Sequence, residues 1–327
     1  MKFSIIIPVY NAEKHIKECV ASIINSTHTD YEILLIDDGS QDKSLDICQS
    51  LAKDNNFVRV FHQTNKGAAS ARNYGIAEAK GDFLAFVDSD DRVAENYIEK
   101  LNFYIDNYSF DVLWFNMRAV NESGVELFKT ISIANGFISK NDFLSCFFGM
   151  NLNIGSMCSK VYSRYFICRH GLKLTEGRIY GEDWDFNLRL GELNPKILCV
   201  PDILYNYIKY NSQQTVSTKY FREDFDVYCE SYSRLLNIAK IYGLSCSERE
   251  QGAIFVYNVI SQLGKLMASS LSKNEKNIEY NRIIQNETFH NVLISNRWDS
   301  RFMSKRQRIA SFLLKKSDKI AKIVMSL

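Results

Sequence analysis

The run Phe86-Val87-Asp88-Ser89-Asp90-Asp91 sets three carboxylates where an apolar stretch stops. The residues before them, Phe83 to Val87, are short and apolar and follow Gly81, the pattern of a buried strand. Carboxylates crowded onto the end of such a strand repel one another and resist desolvation, which a cation relieves. Hard oxygen ligands of this kind suit Mg²⁺ or Mn²⁺ held partly by a substrate diphosphate. Asp and Ser also favour turns and helix caps, so a solvated acidic turn accounts for the same residues. Asp37-Asp38 closes a second apolar run, and Glu182-Asp183 precedes Trp184, Phe186, Leu188 and Leu190. Read alone, that last pair is acidic charge in the first turn of a helix, where it favours the dipole.

Alternating elements must position these groups. Phe3 to Val9 reads as a buried strand closed by Pro8, followed by a helix from about Glu13 to Ser26. Strands at Tyr31–Ile36 and Phe57–Phe61 flank a helix around Ser44 to Asp54, and a further helix runs from about Ala68 to Ala79. Strands alternating with helices of this length imply a mostly parallel sheet with right-handed crossovers. Ligands of such sheets bind beyond the strand carboxyl ends. Tyr10-Asn11, Asp37-Asp38 and Asp88 to Asp91 therefore converge on one crevice, with the positive charge of Lys66 and Arg72 beside it. The set suits a base, a ribose and a metal-bridged diphosphate. No Gly-x-Gly-x-x-Gly follows the first strand and no Gly-Lys-Ser or Gly-Lys-Thr occurs, which excludes dinucleotide and P-loop signatures.

The order of four motifs resembles an inverting family 2 glycosyltransferase of the GT-A fold. They are Ile5-Ile6-Ile7-Pro8-Val9-Tyr10-Asn11, Ile36-Asp37-Asp38-Gly39-Ser40-Gln41-Asp42, Asn65-Lys66-Gly67-Ala68-Ala69-Ser70-Ala71-Arg72-Asn73-Tyr74-Gly75 and Phe86-Val87-Asp88-Ser89-Asp90-Asp91. The likeness is close over residues 3–100 and looser to about residue 218. It implies that Pro8, Val9 and Tyr10 line the nucleotide pocket and that one of Asp37 and Asp38 accepts a hydrogen bond from the base. Lys66 and Arg72 would lie near the nucleotide or its phosphates, with Asp88 and Ser89 on the donor side. Asp88 and Asp90 would form the metal-binding Asp-x-Asp, Asp90 being the first candidate for a direct ligand. Asp91 would be a second ligand or the cap of the helix beginning nearby, while Asn73 and Gly75 pack their helix. Asp183 would be the catalytic base, with Glu182 as alternate. The Tyr-x-Tyr stretch at Ile203–Ile208 and the polar run to Thr218 resemble a segment closing over the donor, with Tyr207 and Ser217 as contacts. An edge strand and surface loop would explain that stretch equally.

The resemblance implies an α/β GT-A fold with a mostly parallel central sheet flanked by helices. A catalytic domain would cover residues 1–218, with a nucleotide-sugar-binding half (1–100) and an acceptor half (101–218). Residues 219–327 would form a helical C-terminal region. The implied activity is metal-dependent, inverting transfer of one hexosyl or N-acetylhexosaminyl unit from a nucleotide-diphosphate donor, a UDP-sugar being favoured. A glycan or a polyprenyl-diphosphate-linked acceptor in capsule, O-antigen or other surface-polysaccharide assembly would receive it. The alternatives are a catalytically silent nucleotide-sugar-binding scaffold and a nucleotidyltransferase, although the Gly-rich basic triphosphate loop of the latter is missing. Related processive polymerases carry membrane spans and Gln-x-x-Arg-Trp, neither of which is in the sequence.

The 327 residues carry a net charge of +2, and no basic patch interleaved with aromatics occurs in the N-terminal part, so nucleic acid is not an expected partner. Cys19, Cys48, Cys146, Cys158, Cys168, Cys199, Cys229 and Cys246 form no Cys-x-x-Cys pair and read as buried free thiols. Met1-Lys2-Phe3 leads straight into the first strand without a leader, an expectation of a reducing cytosol. The pattern turns helical from about Asp224, with a loop and a short helix within Ser269 to Asn286. The last stretch, residues 301–327, carries Arg301, Lys305, Arg306, Arg308, Lys315, Lys316, Lys319 and Lys322. Ile309, Phe312, Leu313, Ile320, Ile323, Val324 and Leu327 fall on one helical face, a basic amphipathic helix suited to an anionic membrane surface. Such a helix would place the enzyme peripherally on the inner face of the cytoplasmic membrane; packing on its own domain or on a second subunit is the alternative.

Overall fold

The structure is a computed structural model that describes residues 1–24, 30–130, 135–138, 155–178, 181–210, 220–243 and 248–294, with 308, 309, 311, 312 and 314. Two compact units divide the chain, Met1–Gln213 and Gln214–Leu327.

The first unit opens with β1 (Phe3–Val9), α1 (Ile16–Ile24), β2 (Tyr31–Asp37), α2 (Ser44–Asp54), β3 (Val58–His62), α3 (Ala68–Glu78) and β4 (Phe83–Phe86). β1 runs parallel to β2 and β4, and β2 runs parallel to β3. Successive side chains of β1 and β2 point to opposite faces, yet Ile5, Ile6, Ile7, Leu34 and Leu35 are all fully buried. Both faces are therefore covered, which is why these strands read as continuous apolar runs. α3 packs on β1 and β2. Gly75 permits that approach, because a Cβ there would stand 2.3 Å from Ile6 Cγ2.

Beyond β4 the sheet is mixed. β5 (Arg92–Val93), α4 (Tyr97–Asn107), β6 (Val112–Asn121), β7 (Glu126–Lys129) and β8 (Gly136–Phe137) come next, followed by β9 (Lys160–Ser163), α5 (Arg164–Arg169), α6 (Glu182–Glu192) and β10 (Ile197–Lys209). Among the described residues the strand order is β3-β2-β1-β4-β9-β6-β10-β5, with β7 on β6 and β8 on β10. β9 is antiparallel to both β4 and β6, while β6 and β10 pair in parallel. The carboxyl ends of β4, β6 and β10 consequently reach the same edge as those of β1 and β2. The parallel block foreseen from the sequence is β3-β2-β1-β4; the antiparallel strand β9 joins it to a second parallel pair. In β10 the register shifts between Cys199 and Tyr205, around Pro201, which has no N–H for the ladder.

In the second unit, α7 (Asp224–Ile241), α8 (Glu248–Ala268), α9 (Lys273–Ile284) and α10 (Glu287–Ile294) surround a core that includes Phe255, Val259, Leu263, Ile283 and Phe289. Ser272 and Glu275 form a reciprocal capping box that starts α9 at Lys273. Most of the basic stretch at residues 301–327 lies outside the described residues. Of its described part, Ser311 and Leu314 are buried, Leu314 within the core of this unit, whereas Ile309 and Phe312 are exposed. Among the described residues, no helix is long and apolar enough to cross a membrane.

Candidate active site

The turns that follow β1 and β2 are bonded to each other. Asn11, at φ 49°, donates its N–H to Ser40 Oγ (3.1 Å) and accepts the Gln41 N–H on Oδ1 (2.8 Å). The Ala12 N–H donates to Ser44 Oγ at 2.7 Å and the Glu13 N–H to Asp42 Oδ2 at 3.1 Å. The Asn, Ser and Asp side chains of these motifs thus do turn chemistry with backbone partners. Val9 is fully buried and its carbonyl accepts the Asp38 N–H at 2.8 Å, so its side chain lines no open pocket. Pro8 is partly exposed and Tyr10 is 47% exposed.

Asp37 and Asp38 are both buried and have different surroundings. Asp38 accepts from Gln63 Nε2 (2.7 Å), the Lys66 N–H (2.9 Å) and the Gly67 N–H (2.8 Å). Its carboxylate orders the turn into α3, where Gly67 takes φ 89°. Asp37 Oδ2 meets His62 Nδ1 at 2.7 Å and the Ser40 N–H at 3.3 Å, while Asp37 Oδ1 is buried without a hydrogen-bond partner. Buried acceptors of that kind are uncommon and call for a specific donor. The Lys66 side chain is exposed.

The acidic loop is held from several elements. Asp88 donates its N–H to the Tyr205 hydroxyl at 3.1 Å, and that hydroxyl donates to Asp91 Oδ2 at 2.6 Å. Asp91 Oδ1 accepts the Ile208 N–H at 2.8 Å, and the residue is 1% exposed. With both oxygens engaged and no access to solvent, Asp91 is a clamp within the fold. Nor does it cap a helix, since α4 starts at Tyr97 after Asn96. The Tyr210 hydroxyl donates to the Asp90 carbonyl (3.0 Å), and the His15 ring lies 4.3 Å from that of Tyr210. Ser89 and Tyr207 are half-buried at the same end; Ser217 lies outside the described residues.

Asp88 and Asp90 form the more open pair. Asp88 is 39% exposed, and the Asp90 carboxylate receives no hydrogen bond from another described residue. Burial, with Asp88 beside it, raises the Asp90 pKa above its ordinary value. Crowded hard oxygens that carry such a penalty fit a divalent cation. No three His, Cys, Asp or Glu side chains among the described residues close round a metal. The pair therefore suits a cation that brings oxygen ligands with it.

Arg72 joins this loop to α6. Its side chain is 6% exposed; Nη2 lies 2.8 Å from Asp88 Oδ1, and Nη1 lies 3.0 Å from Glu182 Oε1 and 3.1 Å from Asp183 Oδ1. Asp183 Oδ2 accepts the Met157 N–H at 3.1 Å. Burial pushes the Asp183 carboxyl up to about 6, with Glu182 and Asp88 adding to the rise and Arg72 opposing it. Gly181, at φ 77°, turns the chain into the helix, and Phe186 and Leu188 bury its far side. The structure brings Arg72, Asp88, Glu182 and Asp183 together, and Arg72 faces carboxylates. Asn73 binds the carbonyl and N–H of Leu174, a packing role. Tyr210, His15 and Met157 are the participants that sequence reasoning missed. Tyr210 carried a signal, as the next aromatic just past the Tyr-x-Tyr strand; the backbone of Met157 carried none.

Residues 4–167 match Glycosyl transferase family 2. Glycosyltransferase GlyG of Streptococcus pneumoniae serotype 4 is 46% identical over 121 residues, 37% of this chain and 40% of that protein. Glycosyltransferase GlyA of the same organism is 30% identical over 247 residues, 72% of this chain and 35% of that protein. The matches thus span well under half the length of these relatives. Among solved structures, S. aureus TarS 1-349 in complex with UDP-GlcNAc superposes with a TM-score of 0.72 at 22% identity, covering 100% of this chain and 90% of that one.

Proposed function

The chain belongs to glycosyl transferase family 2 and has the GT-A fold, and from that premise we propose that it moves one sugar from a nucleotide-diphosphate donor to an acceptor hydroxyl with inversion. One observation carries this reading: a single buried guanidinium, Arg72, holds Asp88 of the acidic loop and Asp183 of α6. Donor-side and base-side carboxylates meet there, beyond the strand ends. In this reading the donor is a UDP-sugar, supported by the UDP-GlcNAc bound to a protein of the same fold. Asp37 Oδ1, buried and without a partner, accepts the N–H of the base between Pro8 and Tyr10. Lys66 lies toward the phosphates, and Tyr207 contacts the donor from β10.

Asp183 is the base and Glu182 its alternate. A carboxyl pushed up to about 6 takes a proton more readily near neutrality than an ordinary aspartate. Arg72 on Oδ1 and the Met157 N–H on Oδ2 fix its plane, and each oxygen keeps a lone pair for the acceptor. As the acceptor oxygen bonds to the anomeric carbon, its proton passes to Asp183. The bond to the diphosphate breaks on the opposite face, and its electron pair leaves with the phosphate oxygen. Asp88 and Asp90 would hold Mn²⁺ or Mg²⁺, whose chemistry when bound is stabilisation of the charge on that leaving group.

A glycan or polyprenyl-diphosphate-linked acceptor of surface-polysaccharide assembly completes the proposal, with the enzyme on the cytoplasmic face of the membrane. Exposed Ile309 and Phe312 next to Arg308 support an anionic lipid surface as the neighbour of the basic C-terminal stretch. The test is thermal stabilisation of the chain by UDP, GDP, CMP and ATP, each with Mn²⁺ or with EDTA. The expected result is a UDP shift lost in EDTA, since native-state binding adds about 2.7 kcal/mol at a hundredfold excess over Kd. No metal-dependent shift with any nucleotide would sink the reading, and a GDP-selective shift would replace the donor.

A further inference from the structure

A buried arginine normally matches its charge to one carboxylate; Arg72 faces three. Asp88, Glu182 and Asp183 all lie within 3.1 Å of its two terminal nitrogens. Asp88 also belongs to the pair best suited to a divalent cation. The same carboxylate therefore already has a cation at 2.8 Å before any metal arrives. Two cations on one carboxylate oppose each other, and here Arg72 is shielded from solvent while Asp88 is partly open. Arg72 has little freedom to withdraw, because it is 6% exposed and its other nitrogen is fixed on α6. A diphosphate changes the balance: it supplies the oxygen ligands that the described residues lack, so that the cation no longer depends on Asp88 alone.

We propose that Arg72 is a resident counter-ion that competes with metal for Asp88, making divalent-cation binding depend on the nucleotide diphosphate while it positions Asp183. The inference rests on the donor-site reading above and goes beyond it. Under this arrangement the empty enzyme binds Mn²⁺ poorly, so that metal and donor load together. The same guanidinium then remains on the base pair of α6, linking donor occupancy to base alignment. Arg72 is a positioning residue here; neither the sugar nor the acceptor touches it.

The experiment measures free Mn²⁺ by electron paramagnetic resonance during titration of the full chain, with and without UDP. In the wild type, Mn²⁺ should bind at least about a hundredfold more tightly with UDP present, the size of a strong coupling between sites. Arg72→Gln keeps hydrogen-bonding capacity but removes the charge. Without UDP it should bind Mn²⁺ at least about tenfold more tightly than wild type, and with UDP the difference should shrink. Arg72→Lys keeps the charge and should stay near wild type. An Arg72→Gln protein with an unchanged thermal melt and unchanged or weaker Mn²⁺ affinity overturns the proposal. Should that variant not fold, the wild type still decides: equal Mn²⁺ affinity with and without UDP overturns it. Failure of the donor reading looks different, since neither UDP nor Mn²⁺ would then bind the wild type in any combination.

Discussion

The Tyr205 hydroxyl lies 2.6 Å from Asp91 Oδ2, so the last acid of the acidic loop is gripped by a strand from the other half of the sheet. Because the same hydroxyl accepts the Asp88 N–H at 3.1 Å, one phenol oxygen sets the position of both ends of the motif.

Tyr205→Phe tests that grip. Deleting the hydroxyl leaves the Asp88 N–H and Asp91 Oδ2 without their partner. The expected loss is about 1–3 kcal/mol of stability, the cost of unpaired buried polar groups. Urea denaturation would read it, and Mn²⁺–UDP binding should weaken in parallel. Unchanged stability and binding would show that the hydroxyl is dispensable.

Asp183→Asn should lower turnover by about 10²–10⁴-fold, the usual contribution of a positioned general base. Calorimetric affinity for UDP with Mn²⁺ should stay close to wild type, because Asp183 sits on the base side of Arg72. Wild-type UDP release from a UDP-sugar in this variant would transfer the role to Glu182.

The pH dependence has a definite sign. Asp183 is pushed from an ordinary 3.8 to about 6 in the folded chain, so kcat/KM should rise with pH through about 6 as the base ionises. Stability moves the other way for this group. Folded chain retains the proton after unfolded chain has lost it, so the contribution is complete below about pH 4 and fades as pH passes about 6. Rate profiles and thermal melts across that window check both halves, and an activity profile flat through pH 6 would remove Asp183 as base.

Gly75→Ala should cost about 1–3 kcal/mol, the range for overpacking. Its Cβ would meet Ile6 Cγ2 at 2.3 Å, forcing α3 away from β1 and carrying Arg72 with it. Chemical denaturation gives the stability change, and a Mn²⁺–UDP titration should show weaker binding.

Much of the site was legible because its residues stand beside local signals. The residues just before Asp37 (Ile33 to Ile36) and before Asp88 (Phe83 to Val87) are unbroken apolar runs, and the Gly and Asp residues after them mark turns, so their place at the strand ends follows from pattern alone. The partners were not legible. Asp91 and Tyr205 are 114 positions apart, and nothing local distinguishes an acid that binds metal from one that binds a phenol. Arg72 read as positive charge near the nucleotide or its phosphates because its charge was visible and its three carboxylate neighbours were not. The sheet followed the same rule: helical crossovers announce the parallel block, whereas β9 is four residues long and takes its direction from tertiary pairing. Pro201 within β10 also disguised a continuous thirteen-residue strand.

β4 and β5 are joined only by residues 87–91, yet β9, β6 and β10 lie between them in the sheet. Four strand spacings across a flat sheet come to about 19 Å. A fully extended chain covers at most about 3.3–3.6 Å per residue, and the turn from the Asp91 N–H to the Asp88 carbonyl (3.0 Å) uses up part of that reach. The sheet must therefore bow, and the acidic segment is the chord across the arc. A short chord closed by its own turn holds its carboxylates like marks on a ruler. In the proposed reading, the curvature of the sheet, set by core residues away from the acidic loop, becomes the gauge for the span a nucleotide diphosphate would have to fit.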